Sequence, residues 1–454
     1  MLQSCSLRSV LGILGSAAAL VGPVAYAAAV SAVTFGDRAF VNDYAPLDDP
    51  PSSTSSQDQR VALAAVAGEF VAVWDATRVP GTPLADHDVA AARLTVGDAG
   101  WSSAVALNSA AASDAADEDD ANPDVAGLAS GTFVAIWTFA PSGSGPTELH
   151  FARSTDFGAT WSPSEVLNGS VPSVASPRVA AAAGTWMAGW AHGATERDIK
   201  VARSTDDGAT WGAPVALDPL DATDTGDEFL CGIETDGDGN WFAVWTTEGG
   251  ALGDDKDIAF SRSVDDGLTW SAPAPFNATA TTDGSDDDDA CRDLAYDGAT
   301  DTWMVLWEEE GSGNGSSVST DDGATWSAHI AVPFALADSV AGSAGIWVVA
   351  YGTFGGNPGI STAASSDDGA TWTTPVPVNE PFVGIDKTPA VAGTGGSFVV
   401  SWEGDSPQSA PSNAQLDIYY AATFSPFQVP ALPVMGAVLL VATLAMTGCR
   451  RLCR

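Results

Sequence analysis

Ser204 to Trp211 reads STDDGATW, and close copies of this octet return along the chain. They stand as STDFGATW at Ser154–Trp161, SVDDGLTW at Ser263–Trp270, STDDGATW at Ser319–Trp326 and SSDDGATW at Ser365–Trp372. A worn copy, LTVGDAGW, ends at Trp101. Copies at intervals of roughly fifty residues define a repeat architecture, in which each unit buries its apolar faces only against its neighbours. The octet itself reads as a tight turn between two strands. Its Asp accepts backbone amides of its own turn, its Gly supplies a positive φ, and its closing Trp anchors the turn on the sheet.

Each unit has one grammar: a short first strand (Asp124 to Gly127 in one copy), an apolar second strand, a third strand, the octet, and a fourth strand. The second strand is FVAVW ending at Trp74, FVAIW at Trp137, WMAGW at Trp190, WFAVW at Trp245, WMVLW at Trp307, WVVAY at Tyr351 and FVVSW at Trp402. These runs are apolar on both faces, as strands sandwiched between neighbouring sheets must be. Four strands per unit with radial packing is the β-propeller plan. The seventh unit lacks an octet and a fourth strand, whereas the orphan segment Phe35 to Asn42 ends like the other fourth strands. That segment is expected to close the ring, so that no open sheet edge remains.

The octet pattern Ser-x-Asp-x-Gly-x-Thr-Trp resembles the Asp box (BNR repeat) of sialidases and related β-propellers. The expected fold is therefore all-β, a propeller of four-stranded antiparallel blades over residues 28–428. Seven blades are expected from the second strands, with the six of the sialidases as the alternative. The resemblance implies that the octets lie on the face opposite the usual site, which makes their aspartates scaffold. Arg153, Arg203 and Arg262 recur at one position before the octets and are read the same way.

Acidic residues number 58 against 17 basic ones, a net charge of −41, which excludes nucleic acid and anionic surfaces as partners. The N-terminus, with Arg8, an apolar run from Val10 to Val21 and Ala25-Tyr26-Ala27, reads as a secretory signal peptide over residues 1–27. Residues 429–454 read as an apolar stretch followed by CRRLCR, long enough for one membrane span. This tail resembles the PEP-CTERM bacterial sorting tail without its Pro-Glu-Pro motif, so a sorting protease and a plain single-pass anchor are both open. The expectation is an exported protein of the cell envelope or surface, or one secreted after processing.

Two kinds of site are legible. The loops before the first strands of blades two, four and five are acidic and supply candidate calcium ligands: Asp119, Asp120, Asp227, Glu228, Asp287 and Asp288. Clustered carboxylates suit calcium, and a solvated acidic rim is the other reading. Arg60, Arg178 and Arg292 begin the first strands of blades one, three and five and form a candidate carboxylate-binding cluster near the axis. The resemblance implies such a cluster for a sialidase, together with a Tyr nucleophile and its acidic partner. The Phe-Arg-Ile-Pro motif and a recognisable Tyr-Glu arrangement are absent. A module that binds a glycan or a cell-surface protein and an exo-α-sialidase-type hydrolase therefore both remain open, because fold alone does not confer activity. Cys231 and Cys291 begin first strands of adjacent blades, where a disulfide, which needs Cα atoms roughly 4.4–6.8 Å apart, and two buried free thiols are equally allowed.

Overall fold

A computed structural model describes residues 33–35, 39–41, 58–76, 87–107, 119–141, 147–167, 173–182, 184–193, 196–217, 226–248, 256–276, 288–309, 313–332, 338–353, 359–378, 386–405 and 416–423. The expected signal peptide (1–27) and the expected span or sorting tail (429–454) lie outside the described residues. Among the described residues, no helix is long and apolar enough to cross a membrane.

The described chain forms seven four-stranded antiparallel sheets. Their inner strands are Asp58–Val66, Asp119–Gly127, Val174–Ala182, Glu228–Thr235, Ala290–Asp297, Ser339–Ser343 and Asp386–Thr394. Each inner strand touches the next around the ring, and that of blade seven touches that of blade one. The molecule is thus a closed seven-bladed propeller. Closure comes from the N-terminal segment, as expected. Ala39 and Phe40 pair with Tyr420 and Tyr419 in blade seven. The Val41 amide donates to the Ile418 carbonyl at 2.9 Å, as Leu167 does to Leu149 and Leu217 to Ile199 in blades two and three. The orphan strand is therefore a geometric copy of the outer strands.

Apolar side chains of facing blades form the core layers between them. The second-strand tryptophans Trp74, Trp137, Trp186, Trp190, Trp241, Trp245, Trp303, Trp347 and Trp402 are fully buried. Each buries enough surface for roughly 4–6 kcal/mol of hydrophobic stabilisation before side-chain entropy is subtracted. The octet tryptophans pack into the same layers: Trp161 with blades one and two, Trp211 with two and three, Trp326 with four and five. Even Trp101 of the worn copy sits edge-on to Tyr420, 5.7 Å between centroids, in the layer between blades seven and one.

The octet turns are built as the sequence implies. Ser204 Oγ donates to Asp206 Oδ1 at 2.9 Å and accepts the Gly208 amide at 3.1 Å. The Thr210 amide and hydroxyl donate to the two Asp206 oxygens at 2.8 and 2.5 Å. These bonds hold the Asp206 carboxyl down to about 2, the Thr210 hydroxyl contributing most. The residue before the glycine is also left-handed, which the sequence reading missed: Asp207 has φ 64° ahead of Gly208 at 76°. Asp is among the few residues that tolerate this region. Arg153 Nε donates to the Asp207 carbonyl at 2.6 Å and Nη2 to Oδ2 at 2.8 Å, and Arg203 repeats both bonds to Asp266. These arginines staple one blade's octet to the next.

Candidate binding site at the axial mouth

Six of the inner strands break register with their second strands, between Gln59 and Ala62, Ala121 and Asp124, Ala175 and Arg178, Leu230 and Gly232, Cys291 and Asp293, and Lys387 and Ala390. All six breaks fall at the same end of the ring. In four of them a non-glycine residue is left-handed: Arg60 (φ 52°), Asn122 (53°), Ser176 (48°) and Thr388 (47°). Proline follows the last three, at Pro123, Pro177 and Pro389. A bulge is where a strand tolerates a residue without an amide proton, and such backbone strain concentrates at functional sites. The bulges ring one mouth of an axial cavity of about 710 Å³ lined by all seven inner strands.

Arg60, Arg178 and Arg292 all line this cavity. The structure therefore brings the three together at one mouth, each already held by a partner. Arg60 Nη1 pairs with Asp75 Oδ2 at 3.2 Å. Burial raises the Asp75 carboxyl to about 7, with Arg60 pulling it back. The Arg60 amide donates to Glu403 Oε1 at 2.7 Å, and Lys387 Nζ reaches Glu403 Oε2 at 3.2 Å. Arg178 donates from Nε to the Cys231 carbonyl and from Nη1 to the Pro177 carbonyl, both at 2.9 Å. Arg292 pairs through Nη2 with Glu308, while its buried Nε has no partner among the described residues. A guanidinium has five N–H donors, so these bonds orient the groups without exhausting them.

The same cavity is lined by acids that sequence reading did not single out: Asp124 and Asp293, at the register position of Arg178, and Glu234, two residues further along its strand. The innermost edge of a blade carries backbone groups that no strand pairs, and Asp124 and Asp293 accept such amides across the seams. Asp124 Oδ2 accepts the Val179 amide of blade three at 2.8 Å. Asp293 Oδ2 accepts the Val340 amide at 2.8 Å and the Ser339 hydroxyl at 2.9 Å, both from blade six. Glu234 accepts only its neighbour's amide, from Thr235 at 3.0 Å. Enclosure by the inner strands raises all three carboxyls, Glu234 to about 7 and Asp293 to about 6. The charges of Asp293 and Asp124 add to the rise at Glu234, and Arg178 partly opposes the rise at Asp124 and Asp293. Pro123, Pro177 and Pro389, each two residues ahead of an inner-strand valine, were the available signal for three of these bulges.

Tyr296 is placed four residues beyond Arg292 on the same strand, about 13 Å further along the axis. Its hydroxyl donates to Asp301 Oδ1 at 2.8 Å, and burial raises its pKa. No other tyrosine lines the cavity among the described residues.

The described calcium candidates stand just ahead of the bulges and do not line the cavity. Asp120 is buried and accepts the Trp137 indole N–H at 2.5 Å. Glu228 is buried and accepts the Trp245 indole at 2.9 Å and the Ile199 amide at 3.0 Å. Asp227 pairs with Arg197 at 3.1 Å and Asp288 with Lys256 at 3.3 Å. Asp119 bridges to His87 of blade one, and Asp287 lies outside the described residues. These acids fasten an inner strand to the third strand of the preceding blade. Among the described residues no group of three His, Cys, Asp or Glu side chains is arranged to hold a metal ion. Cys231 and Cys291 are joined in a disulfide with Cα atoms 6.0 Å apart.

Residues 68–288 match the BNR repeat-like domain family, from the second strand of blade one to the start of blade five. No curated protein sequence matches the chain. Among solved structures, an ulvan lyase of polysaccharide lyase family 25 aligns with TM-score 0.51 and 12% identity over 80% of this chain and 94% of its own. An uncharacterised Dyadobacter fermentans protein aligns with TM-score 0.48 and 13% identity, covering 87% and 99%. The NanB sialidase of Streptococcus pneumoniae aligns with TM-score 0.46 and 12% identity, covering 83% and 69%. At such identities the likeness concerns the fold. The fold is thus a seven-bladed β-propeller. A little under half of the chain is similar to the BNR repeat-like domain.

Proposed function

We propose that this chain is an exported, envelope-anchored propeller that binds a glycan at its axial mouth. The observation that carries the reading is the convergence of Arg60, Arg178 and Arg292 on one cavity, with an unpartnered Arg292 Nε among the described residues. Guanidinium groups fixed by protein partners present planar, charge-assisted donors to a carboxylate or sulfate. The three guanidinium groups are the cationic side chains of the cavity lining, beside the acids Asp124, Glu234, Asp293 and Asp338. A saccharide bearing uronate or sulfate is the ligand this chemistry favours. The leader and tail support export and anchoring, and fractionation of producing cells, with the protein recovered in the envelope, tests that part.

A second reading, hydrolysis of a sialoside, is favoured by the same three arginines. Against it, the Tyr296 hydroxyl is committed to Asp301 well below the mouth. One experiment separates the two. The purified protein is titrated with the disaccharide repeat -[GlcA(1-4)Rha3S]-, which the ulvan lyase of similar fold holds, and incubated in parallel with a fluorogenic sialoside. Saturable binding lost in Arg292→Ala, with no turnover, supports the binding module. Turnover lost in Arg178→Ala supports the hydrolase. Binding that survives Arg60→Ala, Arg178→Ala and Arg292→Ala together sinks the mouth as the site.

A further inference from the structure

The disulfide joins two adjacent bulges of the mouth that carry no proline. Bulges interrupt a ladder, so the backbone there is not fixed by its own sheet. In blades two, three and seven a proline stiffens the bulge, at Pro123, Pro177 and Pro389. In blade one the Arg60 amide is tied to Glu403. The bulges of blades four and five have no proline and carry Cys231 and Cys291, which tie one bulge to the other. The inner strands nearly touch beside them, for a Cβ on Gly232 would lie 2.5 Å from Leu294 Cβ.

The bridge has an arginine at each end. The Cys231 carbonyl accepts Arg178 Nε at 2.9 Å. Cys291 is bonded through its own carbonyl to Arg292, and its amide donates to Thr246 Oγ1 at 3.0 Å. We propose that the Cys231–Cys291 disulfide is a positioning device for the binding mouth, locking Arg178 and Arg292 into one arrangement across blades four and five. This rests on the mouth being the binding site. Loss of the bridge releases both bulges while the core layers and the outer strands hold the ring. Arg178 then loses its fixed acceptor, and Arg292 loses its anchored neighbour.

The test follows each arginine separately. The purified protein and its Cys231→Ser/Cys291→Ser variant are treated with phenylglyoxal, and modification is measured residue by residue by peptide mass spectrometry. Local opening confined to the two bulges predicts that Arg178 and Arg292 react at least about threefold faster in the variant, with Arg153 and Arg203 unchanged. Affinity for the -[GlcA(1-4)Rha3S]- disaccharide should fall by a similar factor. Equal rates at all four arginines overturn the proposal, and so does a uniform rise, which would mean that the bridge only stabilises the ring. Split arginine rates without disaccharide binding to either protein uphold the positioning role and refute the binding reading. If the variant does not fold, dithiothreitol on the folded protein gives the same comparison. It cleaves the Sγ–Sγ bond to two thiols while itself becoming a cyclic disulfide.

Discussion

Glu234 shows how one residue sets a pH dependence for the whole ring. Its carboxyl is raised from 4.5 to about 7 in the folded channel, chiefly by burial. Between those two values the folded state binds more protons than the unfolded one, so this group makes stability fall as pH rises from about 4.5 to 7 and flatten above. Asp206 works in the opposite sense at lower pH: its depressed carboxyl gives stability that is present above 3.8 and lost as pH falls towards about 2. Glu234→Gln is therefore expected to raise the melting temperature at pH 8 and leave it unchanged near pH 4, as read by circular dichroism at both. A gain of the same size at both pH values would show that the carboxyl is not held as described. In the octet, Gly208→Ala places a Cβ 2.6 Å from Val134 Cγ2 at φ 76°. The left-handed backbone and the overpacking together predict a loss of about 2–4 kcal/mol. Gly100→Ala, with open space at its Cβ, is the control and should be near neutral in chemical denaturation. Octet residues were legible because their bonds are local, within Ser204 to Thr210. The left-handed residue before the glycine was not, because its identity varies between copies: Phe157 adopts φ 58° where Asp207 adopts 64°.

At the scale of elements, the closing strand carries the sharpest prediction. Deleting residues 28–42 removes Ala39 and Phe40 from the edge of blade seven, together with the Phe40–Tyr419 ring contact at 4.7 Å between centroids. The exposed edge of Leu416–Ala422 should lower the melting temperature markedly and promote aggregation. A truncated protein that melts like its parent contradicts ring closure by this strand. The strand could be read from sequence because Val41-Asn42 repeats the ending of Leu107-Asn108 and Leu167-Asn168, and the Val41 amide makes the bond those endings make. The inner strands were read less well. Asp124 to Gly127 extends back to Asp119, because the bulge at Asn122-Pro123 breaks the alternation from which a strand is recognised.

For the whole molecule, a charge of −41 means that self-repulsion opposes the compact state, so added salt should raise the melting temperature by screening. Of the calcium candidates, Asp120, Asp227, Glu228 and Asp288 are tied to indoles, amides and cations. Calcium and magnesium at equal ionic strength are accordingly expected to act alike, and a gain specific to calcium would locate ligands in the acidic loops 114–118, 221–225 or 283–287. The site was half legible. Arg60, Arg178 and Arg292 stand out by strand position, but what holds them does not: Asp75 and Glu308 come from second strands, and the Cys231 carbonyl comes from the next blade. Such contacts depend on ring geometry that no local pattern encodes. The most direct test of the central claim is a crystal structure with the -[GlcA(1-4)Rha3S]- disaccharide bound. The account predicts density at the mouth, with an acidic group of the sugar within hydrogen-bonding distance of Arg292 and of Arg60 or Arg178. Density on the octet face or along the outer strands, with the mouth empty, would contradict it.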